Sequence, residues 1–238
     1  MAAVGDPAAT GDKVVPLARV HIPGAARVIA SALTDDPGYR FLLPDDTRRA
    51  GELTALYRIT LADTVAHGCG FVTMLGSSIT GVVAIYPPGA YPMTLKRCVR
   101  IAGWGVLLAA RAREHLGGLM RLGRLTAPGV PTHTWYVQAI GVLPDRQRSG
   151  LGTALLRAAL GLVDQAGEES YLETTRPENV TYYARFGYAL IHEPIPIAPG
   201  GPSIYPMLRR ACASHPADAA PGRSGARATP VPDTAQPH

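Results

Sequence analysis

The sequence has little of what would tie it to a metal, a disulfide framework or a membrane. Its three cysteines, Cys69, Cys98 and Cys212, lie far apart in a chain of 238 residues. That spacing forms neither a zinc-ligand pair nor a disulfide scaffold, and reduced thiols in a cytoplasmic protein are the simpler reading. The seven histidines are scattered without a His-x-x-x-His pair, so no metal is expected. The first twelve residues have neither a basic start nor an apolar core, which argues against a secretory leader. The apolar run from Val99 to Ala112 carries Arg100 and Arg111 and is too short to cross a bilayer. Charge is sparse too. Only 17% of residues are charged against 47% hydrophobic, with a net charge of +5. Without a lysine run or a basic stripe interleaved with aromatics, nucleic acid is not the expected partner. The basic excess suits instead a ligand with several phosphates. Length and composition fit one domain with a sizeable core.

Read in order, residues 1–12 lack the apolar content to fold and are expected to be disordered. Lys13 to Val20 reads as a strand, with Pro16 placing it at a sheet edge. Pro23 opens a helix with Ala25, Ala26, Ile29, Ala30 and Leu33 on one face, stopped at Asp35-Asp36-Pro37-Gly38. Residues 39–46 read as an irregular loop. Thr47 is placed to cap a second helix ending before Gly68. Phe71–Leu75 and Ser78–Tyr86 form a hairpin around Gly76-Ser77. Residues 93–124 have a helical, arginine-rich pattern and read as an insertion, either packed on the core or walling a pocket with Arg97 or Trp104. From Cys212 onward large apolar residues nearly vanish, and a disordered tail over 212–238 is expected. The folded domain is thus 13–211.

One stretch organises the rest. A strand from Trp135 to Leu143 runs into Pro144, then Gln147-Arg148-Ser149-Gly150-Leu151-Gly152-Thr153, then an apolar helix with Leu151, Leu155, Ala158, Ala159 and Leu162 at spacings of three and four. Strand, glycine turn and helix leave backbone N–H groups unpaired at a helix start, where they favour an anion. Neither Gly-x-Gly-x-x-Gly nor Gly-Lys-Ser/Thr is present, so the dinucleotide and Walker loops are excluded. A further strand, Glu169–Thr174, follows. Then comes a short helix over Glu178–Phe186 that contains Asn179 and Tyr183 and leads to Gly187-Tyr188. Tyr188–Pro194 and Ser203–Arg209 close the chain as strands.

Gln-x-x-Gly-x-Gly after a strand, followed by Tyr-x-x-x-Gly-Tyr, resembles the GNAT acetyltransferase superfamily. Residues 135–210 are further similar to its puromycin N-acetyltransferase branch, through Gly141-Val142-Leu143-Pro144-Asp145, Leu172-Glu173-Thr174, Tyr183-Ala184-Arg185-Phe186-Gly187, Gly201-Pro202 and Met207-Leu208-Arg209. The N-terminal half matches only in layout. The resemblance implies an α/β (α+β) fold with a mixed central sheet of about six or seven strands, flanked by helices and splayed between the fourth and fifth. It implies acetyl-coenzyme A as co-substrate, with the backbone of Arg148, Ser149, Gly150, Leu151, Gly152 and Thr153 around the pyrophosphate. Ile140, Gly141 and Val142 would line pantetheine, with a bulge near Gly141 freeing an N–H. Asn179 stands four positions before Tyr183, where seven is frequent, so its contact with the coenzyme is the weakest of the set.

Amine acetylation needs an acid and a base. Tyr183 is the candidate acid, a phenol whose proton suits a departing thiolate. Glu173 is the candidate base, or else a carboxylate capping the following helix or paired with Arg176. Asp35 and Asp36 either attract the amine or serve the turn. Arg146 and Arg148 either meet a phosphate or are solvated. The expected activity is direct acetyl transfer to a primary amine of a small molecule. A protein lysine or N-terminal amine, or a non-catalytic coenzyme A sensor, are the competing readings. Neither the acceptor nor the oligomeric state is written in the sequence.

Overall fold

The computed structural model describes residues 11–94, 97 and 129–211. The 212–238 tail, most of the 93–124 insertion including Trp104, and all but the last two residues of the 1–12 segment lie outside the described residues. Those last two are ordered. Asp12 is buried, accepts from Thr80 Oγ1 at 2.6 Å and pairs with Arg146 at 2.5 Å.

Eight strands form the sheet: β1 (Lys13–Pro16), β2 (Cys69–Leu75), β3 (Ser78–Tyr86), β4 (Thr134–Val142), β5 (Glu169–Thr174), β6 (Tyr188–Leu190), β7 (Ile195–Pro196) and β8 (Ser203–Arg209). Their order is β1-β2-β3-β4-β5-β8-β6, with the two-residue β7 paired to β8. The expected strand over Tyr188–Pro194 is confined to Tyr188–Leu190, and the separate β7 just beyond it raises the expected six or seven strands to eight. All pairings are antiparallel except β4 with β5. β1 is an edge strand as Pro16 requires, and a 3-10 turn at Arg19–His21 replaces its expected extension to Val20.

Five helices flank the sheet: α1 (Ile22–Leu33), α2 (Pro37–Leu42), α3 (Asp46–His67), α4 (Leu151–Ala166) and α5 (Pro177–Ala184). α1 and α3 cover one face, where Ala25, Ala26, Ile29, Leu53 and Leu61 pack on Val72, Val82, Ala84 and Ala139. α4 and α5 cover the other, where Leu151, Leu155, Leu156, Leu160 and Tyr183 pack on Val83, Ile85, Val137, Val142 and Leu172. Alternate residues of one strand therefore feed opposite cores, as the pleat dictates. Each buried leucine adds about 1.5–3 kcal/mol. The apolar face of α4 is turned from the expected one, with Leu156, Leu160 and Val163 buried and Ala158 and Leu162 only partly so.

Two local expectations are corrected at helix starts. Asp45, not Thr47, caps α3, accepting from the Thr47 N–H at 2.9 Å and from its hydroxyl at 2.7 Å. A carboxylate one residue outside the helix competes better for those donors. The 39–46 segment is not all loop, because Asp36 caps α2 by accepting from Gly38 N and Tyr39 N. Among the described residues, no helix is long and apolar enough to cross a membrane.

β4 and β5 pair over four residues only, Thr134–Val137 against Glu169–Leu172, and then part. The parting coincides with a bulge. Ala84 faces Ala139 and Ile85 faces Val137, so Gln138 is the extra residue. The bulge thus lies three positions before Gly141, where it was expected. Gly141 has a different reason for being glycine. A Cβ there would stand 3.1 Å from Ala32 Cβ and 3.2 Å from Ile29 Cα, so its absence lets α1 press onto β4. Gly141→Val should cost about 1–3 kcal/mol by overpacking, read as a lower denaturation midpoint in urea. An unchanged midpoint would show that α1 is free to move away.

Candidate active site

A cavity of about 840 Å³ opens where β4 and β5 separate and reaches from the α4 turn on one side to a group of tyrosines on the other. Its first end is built by backbone. Arg148 and Gly150 are both left-handed, with φ of 61° and 91°. Two such residues in three curl the turn tightly, and glycine adopts this without strain. Gly150 then starts α4 with no side chain capping it, which leaves first-turn N–H groups free for an outside acceptor. Gln147 Nε2 donates to Val142 O at 3.2 Å and Ser149 Oγ to Arg146 O at 2.6 Å, fixing the turn from behind.

Arg148, Gly150, Gly152 and Thr153 line the cavity, as do Ile140, Gly141 and Val142 on β4. Ser149 and Leu151 do not. The hydroxyl of Ser149 is turned into the loop, and Leu151 is core. Arg146 is held by buried Asp12 and leaves Arg148 as the arginine of this turn on the cavity wall. Asn179 also lines it, donating to Thr174 Oγ1 at 3.1 Å. Tyr182 closes this end, hydrogen-bonded to Thr153 with Arg185 over its ring.

The other end is aromatic. Tyr86, Tyr91, Tyr136 and Tyr171 form a series of rings with centroids 5.7, 4.5 and 6.0 Å apart. Glu173 sits among them, accepting from Tyr171 at 2.8 Å and from Tyr136 at 3.4 Å. Burial raises its carboxyl to about 7, against the two phenol hydrogen bonds, which pull it down. Both phenols are raised by burial and then by the charge of Glu173, so they stay protonated and donate. Glu173 neither caps α5 nor pairs with Arg176, which instead meets Asp36 at 3.6 Å and Glu178 at 3.5 Å. Arg97 is not aimed at a ligand either. It forms a buried bidentate pair with Asp63, which also accepts from Tyr86 at 2.8 Å.

Tyr183 lies on the opposite face of the sheet, in the α4–α5 core against Leu172, and reaches the cavity there. Burial raises its phenol above the ordinary value, with Tyr182, Tyr188 and Asp36 adding to it. That loosens the match with a thiolate expected from an unperturbed phenol; the group is a firmly held proton. Glu173 and Tyr183 thus flank the gap between β4 and β5 from its two sides. Asp36 spans the gap's mouth. Its Oδ1 takes the α2 N–H groups and the Thr175 hydroxyl at 2.6 Å, joining residues 139 positions apart. Asp36 serves the turn, as one of its two expected readings had it.

Sequence reasoning missed the tyrosine wall and Gln138. The signal for the wall was there, since ten tyrosines stand against three phenylalanines, an excess of rings that carry a hydroxyl. Gln138 Oε1 is buried with no hydrogen-bond partner among the described residues and its residue lines the cavity. Such an acceptor is satisfied only by a donor from outside the described protein. Among the described residues, no three His, Cys, Asp or Glu side chains form a group that could hold a metal.

The architecture has counterparts among solved structures. One is that of a histone acetyltransferase HPA2 and related acetyltransferase from Corynebacterium glutamicum. It is 18% identical, with a TM-score of 0.59 over 86% of this chain and 98% of that one. A PaiA N-acetyltransferase from Thermoplasma acidophilum, solved in complex with coenzyme A, is 10% identical, with a TM-score of 0.52 over 84% and 98%. At these identities the likeness is one of fold. The sequence model of the acetyltransferase (GNAT) family matches residues 38–188, from the start of α2 through α5 to the first residue of β6. That span takes in the splayed strands, the glycine turn and both flanking side chains, and the chain belongs to the GNAT acetyltransferase family.

Proposed function

We propose that the protein transfers the acetyl group of acetyl-coenzyme A directly to a primary amine of a small molecule. The observation that carries this reading is the pair of groups facing one gap from opposite sides: a partly buried carboxyl raised to about 7 and a phenol that keeps its proton. Acetyl-coenzyme A is the family's acyl donor, and it supplies a thioester activated toward amines. The residues fit it in three ways. The uncapped start of α4 offers N–H groups for a pyrophosphate. The unpaired stretch of β4 from Gln138 to Val142 offers a strand edge for an amide-bearing arm. The orphaned Gln138 Oε1 needs the kind of donor such amides carry. Asn179 stands on the wall of the same cavity.

Glu173 takes a proton from the incoming ammonium, directly or through water, on the tyrosine side. Tyr183 holds a proton on the other side, where a leaving sulfur needs one. Overall the nitrogen gives up two protons. One leaves to solvent through Glu173 and one ends on the released thiol, so no further reactant is required. The elevated carboxyl of Glu173 suits a base working near neutrality. Its neutral surroundings and lack of an arginine partner favour this role over a structural one. An end lined by aromatic rings favours a small acceptor over a protein chain. Free-thiol release from acetyl-coenzyme A, followed over a panel of primary amines, tests the reading; no release above the hydrolysis background with any amine refutes it.

Replacing Gly150 by valine forces a branched residue into φ of 91°. A folded Gly150→Val protein should bind coenzyme A at least about tenfold more weakly by calorimetry, and unchanged affinity would move the pyrophosphate elsewhere.

For Glu173, kcat/KM should fall on the acid side with a limb near pH 7, because only the carboxylate accepts a proton. Glu173→Gln should lower turnover by about 10²–10⁴-fold and remove that limb. The same shift has a stability signature of opposite sense. A carboxyl raised on folding adds stability fully present below its unfolded value, about 4.3, and lost as pH rises through about 7. The Gln variant should therefore gain on wild type in melting temperature as pH rises over that window.

Tyr183→Phe keeps the ring and removes the proton. Turnover should drop by about 10²–10⁴-fold while the coenzyme A dissociation constant stays within about threefold, since backbone amides do the holding. Wild-type turnover in this variant, where chemistry limits the rate, would eliminate Tyr183 as the acid.

A further inference from the structure

The tyrosine end of the cavity restricts which amine fits, an inference that rests on the transfer reading above. Tyr39, Tyr57, Tyr86, Tyr91 and Tyr136 all line this cavity. Tyr39 and Tyr57 meet edge to face at 6.3 Å with their hydroxyls 2.7 Å apart, one donating to the other, so their polar ends are turned together and ring surface is left to the cavity. Tyr91 stands 4.5 Å from Tyr136 and 5.7 Å from Tyr86, and like Tyr39 it is only partly buried. Leu56 and Met93 complete an apolar wall.

Among the described carboxylates that line the cavity, Asp36, Glu173 and Glu178, Glu173 is the one without an arginine partner. Glu173 lies among the rings with phenols as its hydrogen-bond partners. Asp36 is engaged by Thr175 and Arg176, and Asp63 by Arg97 and Tyr86. Among the described arginines, Arg97 is matched likewise by Asp63, and Arg176 by Asp36 and Glu178. A substrate carboxylate would meet rings and Glu173. Among the described residues lining the cavity, a second ammonium would meet no second carboxylate that is not already engaged. Ring faces are electron-rich and attract both a cation and the edge of another ring.

We propose that the acceptor is a primary arylalkylamine with one positive charge and no carboxylate beside its nitrogen. Its ring packs among Tyr39, Tyr91 and Tyr136 and its ammonium is directed to Glu173. The nitrogen–acetyl bond forms as the acetyl–sulfur bond breaks, with the protons distributed as above.

The test compares matched amines with the full-length protein at saturating acetyl-coenzyme A: 2-phenylethylamine, n-butylamine, phenylalanine, spermidine and a peptide with a free N-terminus. Expected is a kcat/KM for 2-phenylethylamine at least about tenfold above n-butylamine and about a hundredfold above phenylalanine, whose carboxylate would be buried unpaired. Preference for spermidine, phenylalanine or the peptide overturns the arylalkylamine class and leaves acetyl transfer standing. Calorimetry on the coenzyme A-loaded protein separates the two ideas. The same order of affinities without thiol release upholds the class and overturns transfer, and no preference in either assay overturns the class. Tyr91→Leu, which keeps apolar volume, and Tyr91→Ala should each shrink the phenylethylamine-to-butylamine ratio several-fold. A ratio unchanged in a folded variant of either kind overturns the role of the rings.

Discussion

The site depends on β4 and β5 failing to stay together. Parallel strands usually pair along their whole overlap, because each unpaired N–H or C=O inside a protein costs free energy. Here pairing stops after Val137 and Leu172. The extra residue at Gln138 turns β4 away at that point, and Gly141 lets α1 draw the departing strand onto itself. The gap is therefore held open from behind by helix packing rather than left to chance. The raised carboxyl, the raised phenol and the glycine turn all lie along the cavity that opens there.

The rims differ in character because alternate residues of a strand point to opposite faces. On β5, Tyr171 and Glu173 go to the α1–α3 side, while Ser170, Leu172 and Thr174 go to the α4–α5 side, where they meet Tyr188, Tyr183 and Asn179. A single strand thereby presents a carboxyl to one compartment and packs against a phenol in the other. Desolvation acts on both groups and in the same direction, raising each. For the carboxyl this brings the titration into the neutral range; for the phenol it keeps the proton in place. The same physical cause yields two different working states.

The motif half of the site was legible in the sequence. Gln147 to Thr153 announced a tight turn into a helix, and glycine is the residue that reveals the left-handed backbone found at Gly150. The order of elements from β2 to α5 followed from periodicity and from Pro and Gly punctuation. What was not legible depended on contacts between distant segments. The bulge at Gln138 arises from register against β3. The commitment of Arg146 to Asp12 joins residues 134 positions apart, and that of Asp36 to Thr175 joins residues 139 apart. The elevation of Glu173 needs Tyr136 beside Tyr171, two rings brought together only by strand pairing. Sequence patterns report local conformation well and report charge environment poorly, since that environment is assembled across the fold.

The short β4–β5 ladder also makes the molecule a book with two leaves. One leaf carries β1 to β4 with α1 and α3, the other β5, β8 and β6 with α5, and along the spine the strands themselves contribute four residue pairs, with the core around Tyr183, the tyrosine rings and the Asp36–Thr175 hydrogen bond spanning the same seam. Beyond Val137 and Leu172 the facing edges of β4 and β5 have no ladder partner in each other, so amide exchange should be faster along those edges than within the paired strands. Any molecule lodged between them acts as mortar. Its binding energy adds to cohesion by mass action, and the protein's resistance to heat and proteases becomes a gauge of how much ligand surrounds it.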